Sequence, residues 1–190
     1  MSYATAVTMV LVATVAIVVV DLMLRMIWKR EPARRSNAPA ASAFVRWLRV
    51  AVNVSGVVAL FLVASTALSV LLTNENGLTG DRLIWHVSMA PPFAVAAVVV
   101  ALFWAHRNRF TSDDWGHGWA VPLRKIFFWI SVVLAVPTFV SILAAMFPLT
   151  DTEGQQNLIR IHRYCGPLLT AAGFLFAYFA LVSWRERSQD

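Results

Sequence analysis

Residues 81–110 read DRLIWHVSMAPPFAVAAVVVALFWAHRNRF. From Leu83 to Ala105 this stretch holds no Asp, Glu, Lys or Arg, and arginines close both ends: Arg82 before it, Arg107 and Arg109 after it. Strands rarely exceed about ten residues, whereas a helix needs roughly 20 predominantly apolar residues to cross a hydrocarbon core. The stretch therefore predicts a transmembrane helix. Four others read the same way. The first runs from Ala4 to Val20 and continues past Asp21 and Arg25 to Trp28; the others are Val50–Leu72, Ile126–Phe147 and Tyr164–Trp184. Asp21 and Arg25 are one helical turn apart and are placed to pair at the membrane edge.

Composition agrees. Of 190 residues, 59% are apolar and 14% charged, against about 45–50% and 25% in soluble domains. A chain this short cannot bury that much apolar surface inside itself. The balance excludes a soluble enzyme, a disordered tail and, despite a net charge of +6, a nucleic-acid binder. A single cysteine excludes a disulfide framework and a cysteine zinc site, and without a Cys-x-x-Cys-His there is no c-type haem attachment. The first span lacks the positive leading segment of a secretory signal, because its basic cluster follows the apolar run. It reads as a retained helix rather than a cleaved leader.

Lys and Arg counts orient the spans. Segment 29–49 holds Lys29, Arg30, Arg34, Arg35, Arg46 and Arg49; segment 106–125 holds Arg107, Arg109, Arg124 and Lys125; the tail holds Arg185 and Arg187. The alternate loops, 73–82 and 148–163, hold only Arg82, Arg160 and Arg163. All basic-rich segments fall on one side of a five-span arrangement. This predicts an all-α, multi-pass inner-membrane protein with its N-terminus outside and its C-terminus cytoplasmic. The organisation expected is an N-terminal transmembrane helix over 1–28, a basic linker over 29–45, a four-helix bundle over 46–185 and a tail over 186–190. The linker around Glu31–Ser42 is rich in Pro, Ala, Ser and Arg, and its charge serves topology and lipid contact.

Spans two to five carry a weak repeat. Ser55 and Ser131, Ser65 and Ser141, His86 and His162, and Pro91 and Pro167 are all 76 residues apart. A repeated two-helix hairpin keeps its orientation and implies a pseudo-two-fold axis along the membrane normal. The first helix then lies outside a four-helix bundle. His86 and His162 become equivalent, each near the outer end of a span. Bundle cores build cofactor sites from facing helices, and two imidazoles aimed at one axis suit a bis-histidine haem iron. Ala90 and Gly166, next to the prolines, leave room beside each histidine for a flat macrocycle. Arg82, Arg160 and Arg163 flank the pair, and arginine is suited to carboxylates such as haem propionates.

Other residues read more plainly. His106 lies 20 residues beyond His86, about 30 Å along a helix, and is the one candidate for a second haem; spans two, four and five offer no partner at its depth. His117 sits with Asp113, Asp114 and Trp115 in what reads as a wet turn. Met89, Met146 and Cys165 read as packing residues, with Cys165 lining the site. Tryptophans 47, 85, 104, 119, 129 and 184 fit an interfacial aromatic belt, and Pro137 is placed to kink the fourth span.

The segment quoted above, with FFWISVVLAVPTFVSILAAMFPL (127–149) and LIRIHRYCGPLLTAAG (158–173), resembles integral-membrane b-type cytochromes. The group it is most similar to is the cytochrome b subunit of the formate dehydrogenase gamma and nickel–iron hydrogenase type. The resemblance covers about residues 45–185. It implies a four- or five-helix bundle passing electrons between the quinone pool and an extramembranous redox partner. Such subunits usually hold two haems; here Val100 and Phe176 stand where an inner-leaflet ligand is needed, which leaves one outer-leaflet haem b. The expectation is an electron-transfer subunit of a respiratory or photosynthetic-type oxidoreductase complex rather than a stand-alone enzyme. Its partners would be membrane lipid, a quinone and a periplasmic cytochrome or other redox subunit. Arg82, His106 and Asn53 are conceivable quinone contacts. The alternative is a cofactor-free membrane anchor or assembly subunit of a redox complex. A transporter needs more mid-membrane polar groups than Ser65, Thr66, Thr138 and Ser141 supply.

Overall fold

The computed structural model describes residues 3–27, 43–73, 78–112, 114, 119–147 and 150–188. Five α-helices follow in order: α1 (Tyr3–Ile27), α2 (Ala43–Thr73), α3 (Gly80–Ala105), α4 (Ala120–Ala145) and α5 (Thr152–Ser188). A 3-10 turn at His106–Asn108 ends α3. There is no strand among the described residues. The predicted spans Val50–Leu72, Leu83–Ala105 and Tyr164–Trp184 lie inside α2, α3 and α5; Ile126–Phe147 runs two residues past the end of α4, and of the first span residues 4–27 lie in α1. Among the described residues, four helical stretches are long and apolar enough to cross a membrane: Val7–Leu24, Gly80–Asn108, Ala120–Ala145 and Thr152–Ser183. The stretch predicted as the second span lies within α2.

The helices run past the apolar stretches in ways hydropathy does not report. α5 starts twelve residues before Tyr164, so residues 152–163, expected as loop, are helix. Asp151 explains the early start. Its carboxylate accepts the Gly154 N–H at 2.8 Å and its carbonyl accepts the Gln155 N–H at 2.9 Å, which satisfies amide groups that open a helix without partners. At the other end, the expected tail joins α5, which continues to Ser188. Most of the basic linker falls outside the described residues; residues 43–45 begin α2. Prolines 91 and 92 in α3, Pro137 in α4 and Pro167 in α5 all sit inside helices that run unbroken through them.

The chain divides into two compact units. In one, α4 packs along α5, and α1 packs on α5. Ala120, Leu175 and Phe179 form its core, with Val18, Leu123, Phe127 and Val182 around them. The Phe127 and Phe179 rings stack with centroids 5.8 Å apart, and Phe176 packs on Phe128 at 5.5 Å. Small residues such as Ala120 and Ala172 let the backbones approach, the usual device where lipid competes with apolar side chains. On α4 the normal pattern is inverted. Thr138 and Ser141 are buried, whereas Val133, Val136, Val140 and Leu143 form an exposed stripe. The hydroxyls of Ser131 and Thr138 return to the carbonyls of Phe127 and Leu134, each at 2.7 Å, so little polarity is left for lipid to meet. The second unit is the α2–α3 hairpin. Its buried contacts centre on Leu60 and Ala64, and α3 shows lipid-type apolar side chains at Val95, Val98 and Leu102. Such stripes fit contact with membrane lipid.

Candidate functional site

The second helix of each hairpin holds a histidine fixed by the helix that precedes it. In α3, His86 Nδ1 lies 3.1 Å from Thr66 Oγ1 on α2. In α5, His162 Nδ1 lies 3.0 Å from the Thr138 carbonyl on α4. The contact spans 20 residues in the first hairpin and 24 in the second, a difference of about one helical turn.

These partners bear on the tautomer of a neutral ring. The Thr138 carbonyl only accepts, so His162 Nδ1 must donate. The Thr66 hydroxyl lies 2.8 Å from Val63 O and 3.2 Å from Leu62 O; with its proton turned to either carbonyl, Thr66 Oγ1 is an acceptor for His86 Nδ1–H. In His162 the lone pair of the neutral ring then lies on Nε2, and His86 has the same tautomer when its Nδ1–H donates to Thr66. This is the tautomer of a metal-ligating histidine whose other nitrogen is tied down by an oxygen acceptor. Room beside His162 is also present. Gly166 is one turn further along the same face, and a Cβ built there meets no atom within 4 Å. Both observations fit an axial haem ligand.

The arginines separate into two groups. Arg82 precedes His86 by four residues, which at about 100° per residue puts it on nearly the same face. Arg160 and Arg163 bracket His162 in sequence but turn about 160° and 100° away from it on the helix. Both are exposed, and with Gln156, Ile159 and Tyr164 they line a cleft of about 300 Å³. The buried stripe of α5 (Leu169, Ala172, Leu175, Phe179 and Ser183) lies on the other side of the helix.

The remaining candidates fall outside this geometry. His106 is exposed in the 3-10 turn. His117 and the Asn53 and Arg25 side chains lie outside the described residues. Phe176, expected at the depth of a second ligand, is committed to aromatic packing against Phe128. Cys165 is a free, half-buried thiol one turn from His162. Met146 is 67% exposed rather than packed. Among the described residues, no three of His, Cys, Asp and Glu gather into a metal-binding group; a bis-histidine haem draws on only two.

A buried polar belt where α4 begins went unread in the sequence. Asp114, expected in a wet turn, is 5% exposed. It accepts the Thr111 N–H at 2.7 Å, the Thr111 hydroxyl at 2.9 Å and Lys125 Nζ at 2.5 Å. Lys125 also reaches the Arg109 carbonyl, so one cation clasps the approach to α4. Burial pushes the Asp114 carboxyl up. The Lys125 hydrogen bond, the two bonds from Thr111 and the Lys125 charge outweigh it, and the group titrates below its ordinary value. Nearby, Trp119 Nε1–H and Tyr178 O–H donate to the two oxygens of buried Asp21, at 2.6 and 2.8 Å. Asp21 is therefore held by helices distant in sequence, beside an apolar cavity of about 460 Å³ lined in part by Val20, Leu24, Leu123 and Phe179. Trp129 donates to the Asn108 carbonyl at 2.9 Å, and Arg124 to Ser183 at 3.2 Å. The signal was present in the sequence as acidic residues among tryptophans. Composition alone could not say which of them turned inward.

Comparison with known protein families, curated proteins and solved structures finds no match to this chain.

Proposed function

We propose that this chain is a membrane-embedded b-type cytochrome subunit. It transfers electrons between a quinone pool and a redox partner on the outer side through one haem b ligated by His86 and His162. The observation that carries this reading is the shared anchoring of the two histidines: each is tied through Nδ1 to an oxygen of the preceding helix, at 3.1 and 3.0 Å, which leaves Nε2 as the nitrogen to meet a metal. Ionisable residues within membrane helices are functional candidates by default, and two anchored alike at positions 76 residues apart strengthen the case. In this reading α2–α3 and α4–α5 assemble as a four-helix bundle in the inner membrane. The N-terminus is outside, α1 lies beyond the bundle and α2 serves as the fifth span.

A bis-histidine haem supplies a one-electron couple whose potential is tuned by ligands, hydrogen bonds and burial. The chain's own residues prepare for it. Thr66 and the Thr138 carbonyl fix the two ring planes and raise imidazole basicity. Gly166 and Ala90 keep bulk away one turn from each ring. Arg82 stands on the His86 face, where a guanidinium can pair with a propionate. A haem held by both His86 and His162 would supply electron transfer rather than chemistry on a bound substrate, and in this reading the chain acts as a subunit of a larger redox complex.

The test is haem stoichiometry. Purified wild-type protein from haem-sufficient cells should carry about one b-type haem per chain, and His86→Ala and His162→Ala should each carry almost none while remaining folded in detergent. Retention of haem by either variant would remove that histidine from the site.

A further inference from the structure

We propose that the cleft formed by Arg160, Arg163, Gln156 and Tyr164 on α5 is a binding site for the phosphate of an anionic membrane phospholipid. The cleft belongs to one helix, over Gln156–Tyr164, and measures about 300 Å³, at the lower end of ligand-pocket sizes. Its chemistry is that of an oxyanion receptor. Arg160 and Arg163 are three residues apart and so are neighbours on the helix surface; their guanidinium forks match the oxygens of a phosphate. Gln156 stands one turn before Arg160 and Tyr164 one turn after it, and each brings a side-chain donor.

Position selects the lipid over other oxyanions. The first turns of α5, Thr152–Asn157, are polar, and the apolar run begins at Tyr164. The two arginines therefore stand at the boundary where headgroup phosphates lie. Below them, toward the apolar end of the same side, come Pro167 and Ala171, each about 20° from Arg160 around the helix, a low surface along which an acyl chain can rest. The cleft is turned away from the α5 stripe that packs on α4, and the Arg160 side chain turns about 160° from His162, so this proposal does not rest on the haem reading.

The experiment uses the full chain in neutral detergent, titrated with short-chain phosphatidylglycerol, short-chain phosphatidylcholine and inorganic phosphate, with binding followed by native mass spectrometry. Arg160→Gln/Arg163→Gln is compared with Arg109→Gln, an exposed arginine elsewhere. Helix content by circular dichroism and haem content are measured in parallel. The site predicts that phosphatidylglycerol binds best, that the double variant weakens it about thirtyfold, and that Arg109→Gln, helix content and haem content do not change. Equal weakening in Arg109→Gln would reduce the effect to general charge and overturn the site. Inorganic phosphate binding as tightly as the lipid would overturn the lipid assignment. Loss of haem with lipid binding intact would return the arginines to the propionates and overturn the proposal.

Discussion

Replacing Lys125 with methionine removes the cation that holds the α4 entrance shut while leaving most of its aliphatic stem. Lys125 and Asp114 are each 5% exposed, so the carboxylate cannot turn to water when its partner goes. Deleting one partner of a buried pair costs about 3–5 kcal/mol. Asp114 keeps both bonds from Thr111, and each hydrogen bond to a charged group contributes about 1.5–3 kcal/mol, so the lower end, about 3 kcal/mol, is expected. Adding Asp114→Asn removes the stranded charge and should recover part of the loss, giving a coupling energy of about 1–3 kcal/mol in a double-mutant cycle. The assay is reversible unfolding in mixed micelles, followed by circular dichroism at neutral pH. The pH dependence has a fixed sign. The folded Asp114 titrates below its ordinary value, so its contribution is complete above the ordinary carboxylate range and is lost as pH falls through the folded value. Wild-type protein should lose stability in that acid window, and Asp114→Asn should lose less. A Lys125→Met protein within about 0.5 kcal/mol of wild type, or a coupling energy near zero, would refute the clasp.

Thr66→Val keeps the shape of residue 66 but removes the acceptor for His86 Nδ1. A ligand histidine released in this way should weaken cofactor retention about 10–100-fold and move the haem midpoint potential; an unchanged potential and affinity would show that the Thr66 contact does not orient a ligand. Asp151→Ala removes the carboxylate cap of α5 and should cost about 1 kcal/mol, read as a lower unfolding midpoint. Gly154→Ala should also destabilise, because its Cβ would come within 2.7 Å of Thr150 Cβ; an unchanged midpoint for both would place the start of α5 elsewhere.

How much of this was legible depended on which physical signal each feature leaves. The long apolar stretches announced α3 and α4 because bilayer thickness demands uninterrupted hydropathy. The first three turns of α5 left no such signal. Their helix is set by the Asp151 cap and by contacts outside lipid, so residues 152–163 resembled a loop. That error carried a consequence. With the span beginning at Tyr164, Arg160 and Arg163 read simply as flanking His162; with α5 beginning at Thr152, helical geometry sends Arg160 to a different face from His162. The histidines themselves stood out as rare ionisable residues in an apolar chain. Their partners did not, because Thr66 and Thr138 look in sequence like any hydroxyl residue, and only packing brings the Thr66 hydroxyl to His86 and the Thr138 carbonyl to His162. Asp114 failed for the opposite reason. An Asp-Asp-Trp-Gly run has the composition of a solvated turn, and nothing local reveals that Lys125, eleven residues on, reaches back to cover it.

The central claim is tested most directly by a dithionite-reduced minus air-oxidised visible spectrum of the detergent-purified protein from cells well supplied with haem. A sharp reduced alpha band of a low-spin b-type haem is expected, absent from His86→Ala and from His162→Ala. A folded wild-type protein with no such band would contradict it and leave the two histidines as hydrogen-bonding residues of a cofactor-free membrane anchor.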